Sequence, residues 1–416
     1  MTPSSSEIKN PFRPGAGHMP PYLAGREHES EEFATLLRQD VILSNMILTG
    51  LRGLGKTVLL EKLKPVAIAA GWLWAGTDLS EAASVSEDNL VMRILTDLAI
   101  ATSSITVTHA PDRKSGFADR QPVEMRLNYP GLRTIYDGTP GLASDKLKAV
   151  LEFVWPHVDA SGRKGIIFAY DEAQNLADHA ARDQYPFSLL LDVFQSVQRK
   201  GLRLMLVLTG LPTLFPKLVA ARTYTERMFH LVFLHPLNRA ETDQAIRKPI
   251  EESQCEIDVA QESLRTIWEI THGYPYFVQY VCREAFDVWV QAINQGKKPR
   301  SIPIQEIIRK LDSDFFAGRW AKATDRQRDL LAVISNLPNC DAEFSVQDVV
   351  ESHSNSGTER PFGSSQVNQL LSSLSDLGLI YKNRHGKYSF AVPLLGDFIR
   401  RQNECAMPGD QGELFE

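Results

Sequence analysis

Gly50-Leu51-Arg52-Gly53-Leu54-Gly55-Lys56-Thr57 fits the pattern G-x-x-x-x-G-K-[ST] and constrains the fold more than any other stretch of the chain. Met46-Ile47-Leu48-Thr49 before it is an apolar run suited to a buried parallel strand, and Val58 to Leu63 after it reads as helix. Strand, glycine loop, helix is the order a phosphate-cradling loop needs. The glycines let the backbone close around an anion, and the N–H groups of the loop and helix start point at it. In this reading Gly50, Gly53, Gly55 and the amides through Val58 hold the phosphates of ATP. Lys56 pairs with the β- and γ-phosphates, and the Thr57 hydroxyl ligates Mg²⁺.

A second anchor lies well downstream. Gly165-Ile166-Ile167-Phe168-Ala169-Tyr170 is an apolar strand that ends in Asp171-Glu172. Behind a P-loop this is a Walker B element. Asp171 would hold Mg²⁺ through water beside Thr57, and Glu172 would orient or deprotonate the attacking water. The next apolar run, Leu202 to Leu208, ends in Thr209-Gly210. Thr209 is either a sensor of the γ-phosphate and attacking water or part of a plain turn. Arg222 and Arg227 precede the strand Phe229–Leu234. Either could be a surface residue or a finger reaching a neighbouring subunit's γ-phosphate; Arg227, nearer the strand, is the better candidate.

Length and charge set the remaining limits. A chain of 416 residues implies two or three domains. A net charge of −6 argues against wholesale electrostatic binding to nucleic acid but leaves room for a local basic face. Cys255, Cys282, Cys340 and Cys405 have no metal-ligand spacing and read as free thiols. Met1 to Asn10 is polar, without the apolar core of a signal peptide. No apolar run approaches the roughly 18–20 residues of a membrane span. A cytoplasmic protein with no membrane partner is expected. No Asn-Lys-x-Asp motif favours guanine.

Around these anchors the chain divides by pattern. Residues 1–20 are rich in Ser, Pro and Gly and read as a flexible arm. Pro20 to Glu27, with Tyr22 and Arg26, is either an adenine-wrapping segment or a linker. Gly71 to Gly76 reads as a strand and Asp88 to Ala101 as a helix, after which Ser103 to Ser144 loses periodicity. Lys146 to Val158 is helical again. Asn238 and Glu241 form a capping box ahead of a run of helices, punctuated by Gly273-Tyr274-Pro275. From about Thr324 three helices (Arg328–Leu337, Ser345–Glu351, Ser364–Leu377) precede strands at 379–382 and 386–390. This is the pattern of a winged helix-turn-helix. Lys382, Arg384 and Lys387 at the hairpin suit phosphate contacts, and the polar third helix could read bases. A protein-binding winged helix fits equally well.

Together these residues resemble the AAA+ ATPases of the origin-recognition and archaeal-initiator type and the related STAND and archaeal-type ATPases. The resemblance runs from about Pro20 to Arg401. It rests on Pro21-Tyr22-Leu23-Ala24-Gly25-Arg26-Glu27, the P-loop, Phe168 to Gln174, Leu234-His235-Pro236-Leu237 and Gly273-Tyr274-Pro275. It implies an α/β fold: a P-loop αβα sandwich with a parallel sheet, a helical lid and a C-terminal winged helix-turn-helix. The divisions expected are an arm at 1–20, a core at 21–236, a lid at 237–320, a winged helix at 321–403 and a tail at 404–416. ATP would lie where core meets lid, with Tyr22, Arg26 and Pro275 near its base and ribose. Two departures stand out. Initiator-type proteins carry Asn where this chain has Thr209, and the helix after Pro275 begins Tyr276-Phe277-Val278-Gln279, with Arg283 too late to act as a sensor 2 arginine. The resemblance therefore points to a nucleotide-controlled switch with slow or partner-stimulated hydrolysis. Its output would be binding or remodelling of double-stranded DNA, or a signalling contact with a protein partner, and the chain would act as a possible homo-oligomer.

Overall fold

A computed structural model describes residues 9–15, 17–109, 123–253, 257, 259–297, 302–338, 340, 342–355, 362–384 and 386–406. The chain divides into two compact units. One holds 26–50 and 56–234; the other holds the N-terminal segment through Gly25, Leu51–Gly55 and everything from His235 onward.

The first unit is built on a five-stranded sheet. Its strands are β1 (Asn45–Thr49), β2 (Trp72–Ala75), β5 (Gly165–Tyr170), β6 (Leu204–Gly210) and β7 (Phe229–Phe233), in the spatial order β2-β5-β6-β1-β7. Every neighbouring pair is parallel. β1, β5 and β6 are buried along their whole lengths. Strands covered on both faces read as continuous apolar runs, which is why the sequence exposes them. Helices α1 (Glu27–Leu36), α2 (Lys56–Ala69), α3 (Glu87–Thr102), α4 (Tyr129–Gly138), α5 (Ala143–Ala160), α6 (Pro186–Arg199), α7 (Leu214–Ala221) and α8 (Thr225–Met228) alternate with the strands. The α/β sandwich expected from the sequence is present.

Two features depart from expectation. The stretch from Ser103 to Ser144 is structured where it is described. β3 (Thr106–His109) and β4 (Val123–Arg126) pair antiparallel, and α4 follows, its first turn capped by Asn128 accepting from Gly131 N at 3.2 Å. Pro130 in the first turn looks like a helix breaker in the sequence, but a proline there forfeits no helical hydrogen bond. Residues 110–122 lie outside the described residues. The second departure is buried Asn45 in β1. Its Oδ1 accepts from Leu206 N (2.7 Å) and Gln198 Nε2 (2.8 Å), and its Nδ2 donates to Met228 O (3.2 Å). A side-chain amide here joins β1 to β6 and α6, satisfying polar groups that burial would otherwise leave unpaired.

The second unit is mainly helical. It contains α9 (Arg239–Glu252), α10 (Gln261–Thr271), α11 (Pro275–Asn294), α12 (Ile304–Leu311), a π-helical turn at Asp312–Phe316 and α13 (Ala317–Trp320). The predicted capping box opens α9: Asn238 N donates to Glu241 Oε2 at 2.8 Å, and Glu241 N to Asn238 Oδ1 at 3.0 Å. Gly273 (φ 69°) must be glycine, because a Cβ there would lie 2.0 Å from Leu237 O. Within the stretch expected as an arm, Phe12 is buried edge-on against Phe286, and Asn10 Nδ2 donates to Arg283 O and Asp287 Oδ1. Residues 1–8 lie outside the described residues.

The same unit ends in α14 (Asp325–Ser335), β8 (Phe344–Ser345), α15 (Val346–Asn355), α16 (Ser364–Asp376), β9 (Ile380–Arg384), β10 (Lys387–Phe390) and α17 (Leu395–Ala406). The strands form an antiparallel sheet in the order β8-β10-β9. Gln327 caps α14 from its third position and donates to Ser373 Oγ of α16 at 2.9 Å, tying two of the helices together. The π-turn supplies Phe315 and Phe316 to a column of rings. Tyr276 meets Phe315 (5.3 Å), Phe315 meets Phe316 (4.9 Å), Phe316 stacks on Phe398 of α17 (5.1 Å), and Phe398 meets Trp320 (5.9 Å). Among the described residues no helix is long and apolar enough to cross a membrane.

Candidate nucleotide site at the carboxyl edge of the sheet

Because the strands are parallel, the carboxyl ends of β1, β5 and β6 share one edge, where ligands of open α/β sheets bind. Gly50 follows β1, Asp171-Glu172 follow β5, and Thr209-Gly210 close β6, with Leu48 in register with Thr209 and Tyr170 with Leu208. Lys56 opens α2, curls back and donates from Nζ to Gly50 O at 2.9 Å. Thr57 Oγ1 lies 2.5 Å from Asp171 Oδ2. These two oxygens come from residues 114 positions apart in the chain. The buried Val58 completes the first turn of α2, whose amides aim along the helix axis.

Asp171 is held rigidly. Its N–H donates to Thr77 O (3.2 Å), and its carbonyl accepts from Leu79 N (2.9 Å). Burial pushes its carboxyl above the usual range, while Thr57 and the Glu172 N–H (2.8 Å to Oδ1) pull against that shift. A cation beside it would favour the charged form. Glu172 is exposed and adopts left-handed backbone geometry (φ 52°, ψ 33°). That conformation costs a non-glycine residue about 1 kcal/mol or more and concentrates at functional sites. The Glu172 carboxylate accepts from Gln174 Nε2. Gln174 appears in the sequence only as part of the Asp-Glu-Ala-Gln match; its chemistry becomes visible when β6 lies beside it. Thr209 is fully buried as the penultimate residue of β6, and its Oγ1 has no hydrogen-bond partner among the described residues.

The two candidate fingers separate clearly. Arg222 is committed to Asp192, with Nε to Oδ1 at 2.9 Å and Nη2 to Oδ2 at 2.7 Å, and Tyr224 Oη adds a third bond at 2.7 Å. Arg227 is exposed, and no side-chain hydrogen bond or ion pair engages it among the described residues. It precedes β7, whose first residue pairs with Asn45, so it lies at the amino edge of the sheet. Four strand steps, about 13 Å, separate that edge from the P-loop end. Arg227 therefore does not reach the site of its own chain.

The base-side candidates fall in different units. Arg26 is buried in the first and bonds Glu29 Oε1 at 3.5 Å. Tyr22 and Pro275 belong to the second. The Tyr22 ring lies under Lys248 Nζ (4.4 Å), and Gly25 packs against Glu241 of α9 so closely that a Cβ would stand 2.6 Å from its carboxyl carbon. Also in the second unit, Gly53 O accepts from Tyr276 N at 3.1 Å, just after Pro275 at the start of α11. Gly53 and Gly55 have φ near 81° and 84°, values that favour glycine. Cys282 and Cys340 are buried thiols; Cys255 and the Cys405 side chain lie outside the described residues. So do His385 and the Arg384 side chain at the hairpin tip.

Comparison with known proteins follows this geometry. The sequence matches a family described as a domain of unknown function (DUF8462) over residues 313–399, the span from the π-turn into α17. No curated protein matches it. In structure the chain is similar to the ORC2 protein of Aeropyrum pernix in its ADP form (TM-score 0.56, 17% identity), covering 94% of this chain and 98% of that one. It is also similar to the Walker-type ATPase paby2304 of Pyrococcus abyssi (TM-score 0.54, 15% identity), with 91% and 96% covered. The chain thus has the fold of these two proteins, a P-loop α/β sandwich followed by a helical unit.

Proposed function

We propose that this chain is an ATPase that binds Mg·ATP at the carboxyl edge of its sheet and uses nucleotide state to control its C-terminal helices. The observation that carries this reading is the meeting of Thr57 Oγ1 and Asp171 Oδ2 at 2.5 Å, with Thr57 next in sequence to Lys56. Lys56 would exchange its bond to Gly50 O for phosphate oxygens. A hydroxyl and one carboxylate suit Mg²⁺, which keeps several waters and takes few protein ligands. They fit no all-protein metal cage, and no cluster of three or more His, Cys, Asp or Glu that could hold a metal occurs among the described residues. When bound, Mg²⁺ would neutralise charge developing on the phosphates. Glu172 would take the proton of the attacking water, Thr209 would offer its unpartnered hydroxyl at the neighbouring strand tip, and Arg227 would serve a neighbouring copy's site.

We read α14–α16 with β8–β10 as a winged helix, the output element. The ring column from Tyr276 to Phe398, starting one hydrogen bond from Gly53, supports a mechanical link between the P-loop tip and this element. Lys382 is exposed and suits phosphate contacts to duplex DNA. One observation favours the second reading, a signalling switch that binds a protein: Lys387 Nζ is already 3.8 Å from Asp348 Oδ2, which thins the basic stripe. The test is ATP turnover by the wild type and Glu172→Gln, with and without duplex DNA. The expected result is Glu172-dependent turnover that falls about 10²- to 10⁴-fold in the variant and rises with DNA. Turnover indifferent to DNA would move the output to a protein partner, and turnover indifferent to Glu172 would remove the hydrolytic reading.

A further inference from the structure

Gln174 uses both ends of its amide. Nε2 donates to Glu172 Oε2, and Oε1 accepts from Leu211 N at 3.1 Å. Only one orientation of the amide serves both partners, because a carboxylate requires a donor and a backbone N–H an acceptor. The main chain of Gln174 is fastened as well: its carbonyl accepts from Lys217 Nζ of α7 at 2.8 Å. Gly210 makes room for the arrangement, since a Cβ there would stand 2.7 Å from Gln174 Oε1. Leu211 follows the strand tip that carries Thr209. A single side chain thus spans from the tip of β6 to the one carboxylate at this edge whose backbone is strained.

We infer that Gln174 is a positioning residue for hydrolysis, fixing the Glu172 carboxylate relative to the tip of β6. The inference rests on the ATPase reading above. In that step Glu172 accepts the proton of the water whose oxygen bonds to the γ-phosphorus, while the bond from that phosphorus to the β,γ-bridging oxygen breaks and ADP leaves with the electron pair. An exposed glutamate explores several rotamers, and an amide from two residues away selects one. Oε2 is committed to Gln174 and Oε1 is left for water. The anchor at Leu211 makes that choice depend on the strand tip, so a shift of Thr209 and Leu211 moves the base with them.

Two variants separate positioning from plain structure. Gln174→Glu keeps an acceptor for Leu211 N but has no donor for Glu172, and Gln174→Met removes both. Both are expected to lower kcat about 10- to 100-fold, the scale of a misplaced reacting group, with KM for ATP within about twofold. In the Glu172→Gln background Gln174→Glu should cause no further loss, because the two residues act as one unit. The assignment is overturned if Gln174→Glu retains wild-type kcat while Gln174→Met does not, since the amide would then serve Leu211 alone. It is also overturned if the losses from Glu172→Gln and Gln174→Glu multiply. Wild-type turnover that does not depend on Glu172 would instead remove the hydrolytic reading, and this assignment with it.

Discussion

The carboxyl edge of the parallel sheet and the C-terminal helical unit solve different problems with different materials. At the sheet edge, fully buried strands deliver a few polar groups, and those groups are committed to one another: Lys56 to Gly50, Thr57 to Asp171, Glu172 and Leu211 to Gln174. The C-terminal unit is joined by rings and surface ion pairs. The buried Phe316 and Phe398 stack on each other, and Arg401 grips Asp312, the first residue of the π-turn. A site that must hold charge in fixed places needs short polar links on rigid strands. An element that must change its packing is better served by rings, whose contacts are many and individually weak. On the proposed reading, chemistry would belong to the first region and response to the second.

The comparison can be broken from the ring side first. Phe316→Ala removes a fully buried ring from the column and is expected to cost the C-terminal unit about 3–5 kcal/mol. Urea unfolding followed by Trp268, Trp289 and Trp320 fluorescence, against Trp72, Trp74 and Trp155 of the sheet unit, would read it. A loss under about 1 kcal/mol would mean that the column is surface decoration rather than core.

A smaller effect is expected at Asp192, on α6 of the sheet unit. Burial pushes its carboxyl up, but the bonds from Arg222 and Tyr224 outweigh that and hold it below the usual range. A depressed carboxyl contributes stability that is present above its unfolded pKa and is lost as pH falls through the folded one. Both side chains are more than a third exposed, so Asp192→Asn should cost under about 1 kcal/mol at neutral pH. The difference from wild type should vanish in acid below the ordinary carboxylate range. Thermal melting across pH would check it, and a gap that widens in acid would contradict the assignment.

The same contrast explains what the sequence makes legible. β1, β5 and β6 are apolar runs because both faces are covered, and the P-loop and Asp171-Glu172 announce themselves by local spacing. The helices of the last region, from Ser345 and Ser364, follow from periodicity, and α17 carries the same signal after the hairpin, with Leu395, Phe398 and Ile399 at helical spacing and buried. Long-range pairings were not readable. Arg222 and Arg227 look alike until Asp192, 30 residues from Arg222, claims one of them. Gln174 gains a role only from Leu211, 37 residues on, and Asn45 only from Leu206, 161 residues away. Spacing reveals a motif whose parts are adjacent; it does not reveal a side chain whose partner arrives by folding.

The central claim is that Lys56, Thr57 and Asp171 hold Mg·ATP. Calorimetric titration of the wild type and Lys56→Ala with ATP, in Mg²⁺ and in EDTA, tests it most directly. The account predicts that the wild type binds ATP more tightly with Mg²⁺, and that Lys56→Ala binds about 100-fold or more weakly, since a charge-assisted phosphate contact is lost. Equal affinity in the two proteins, or no binding by the wild type, would contradict it.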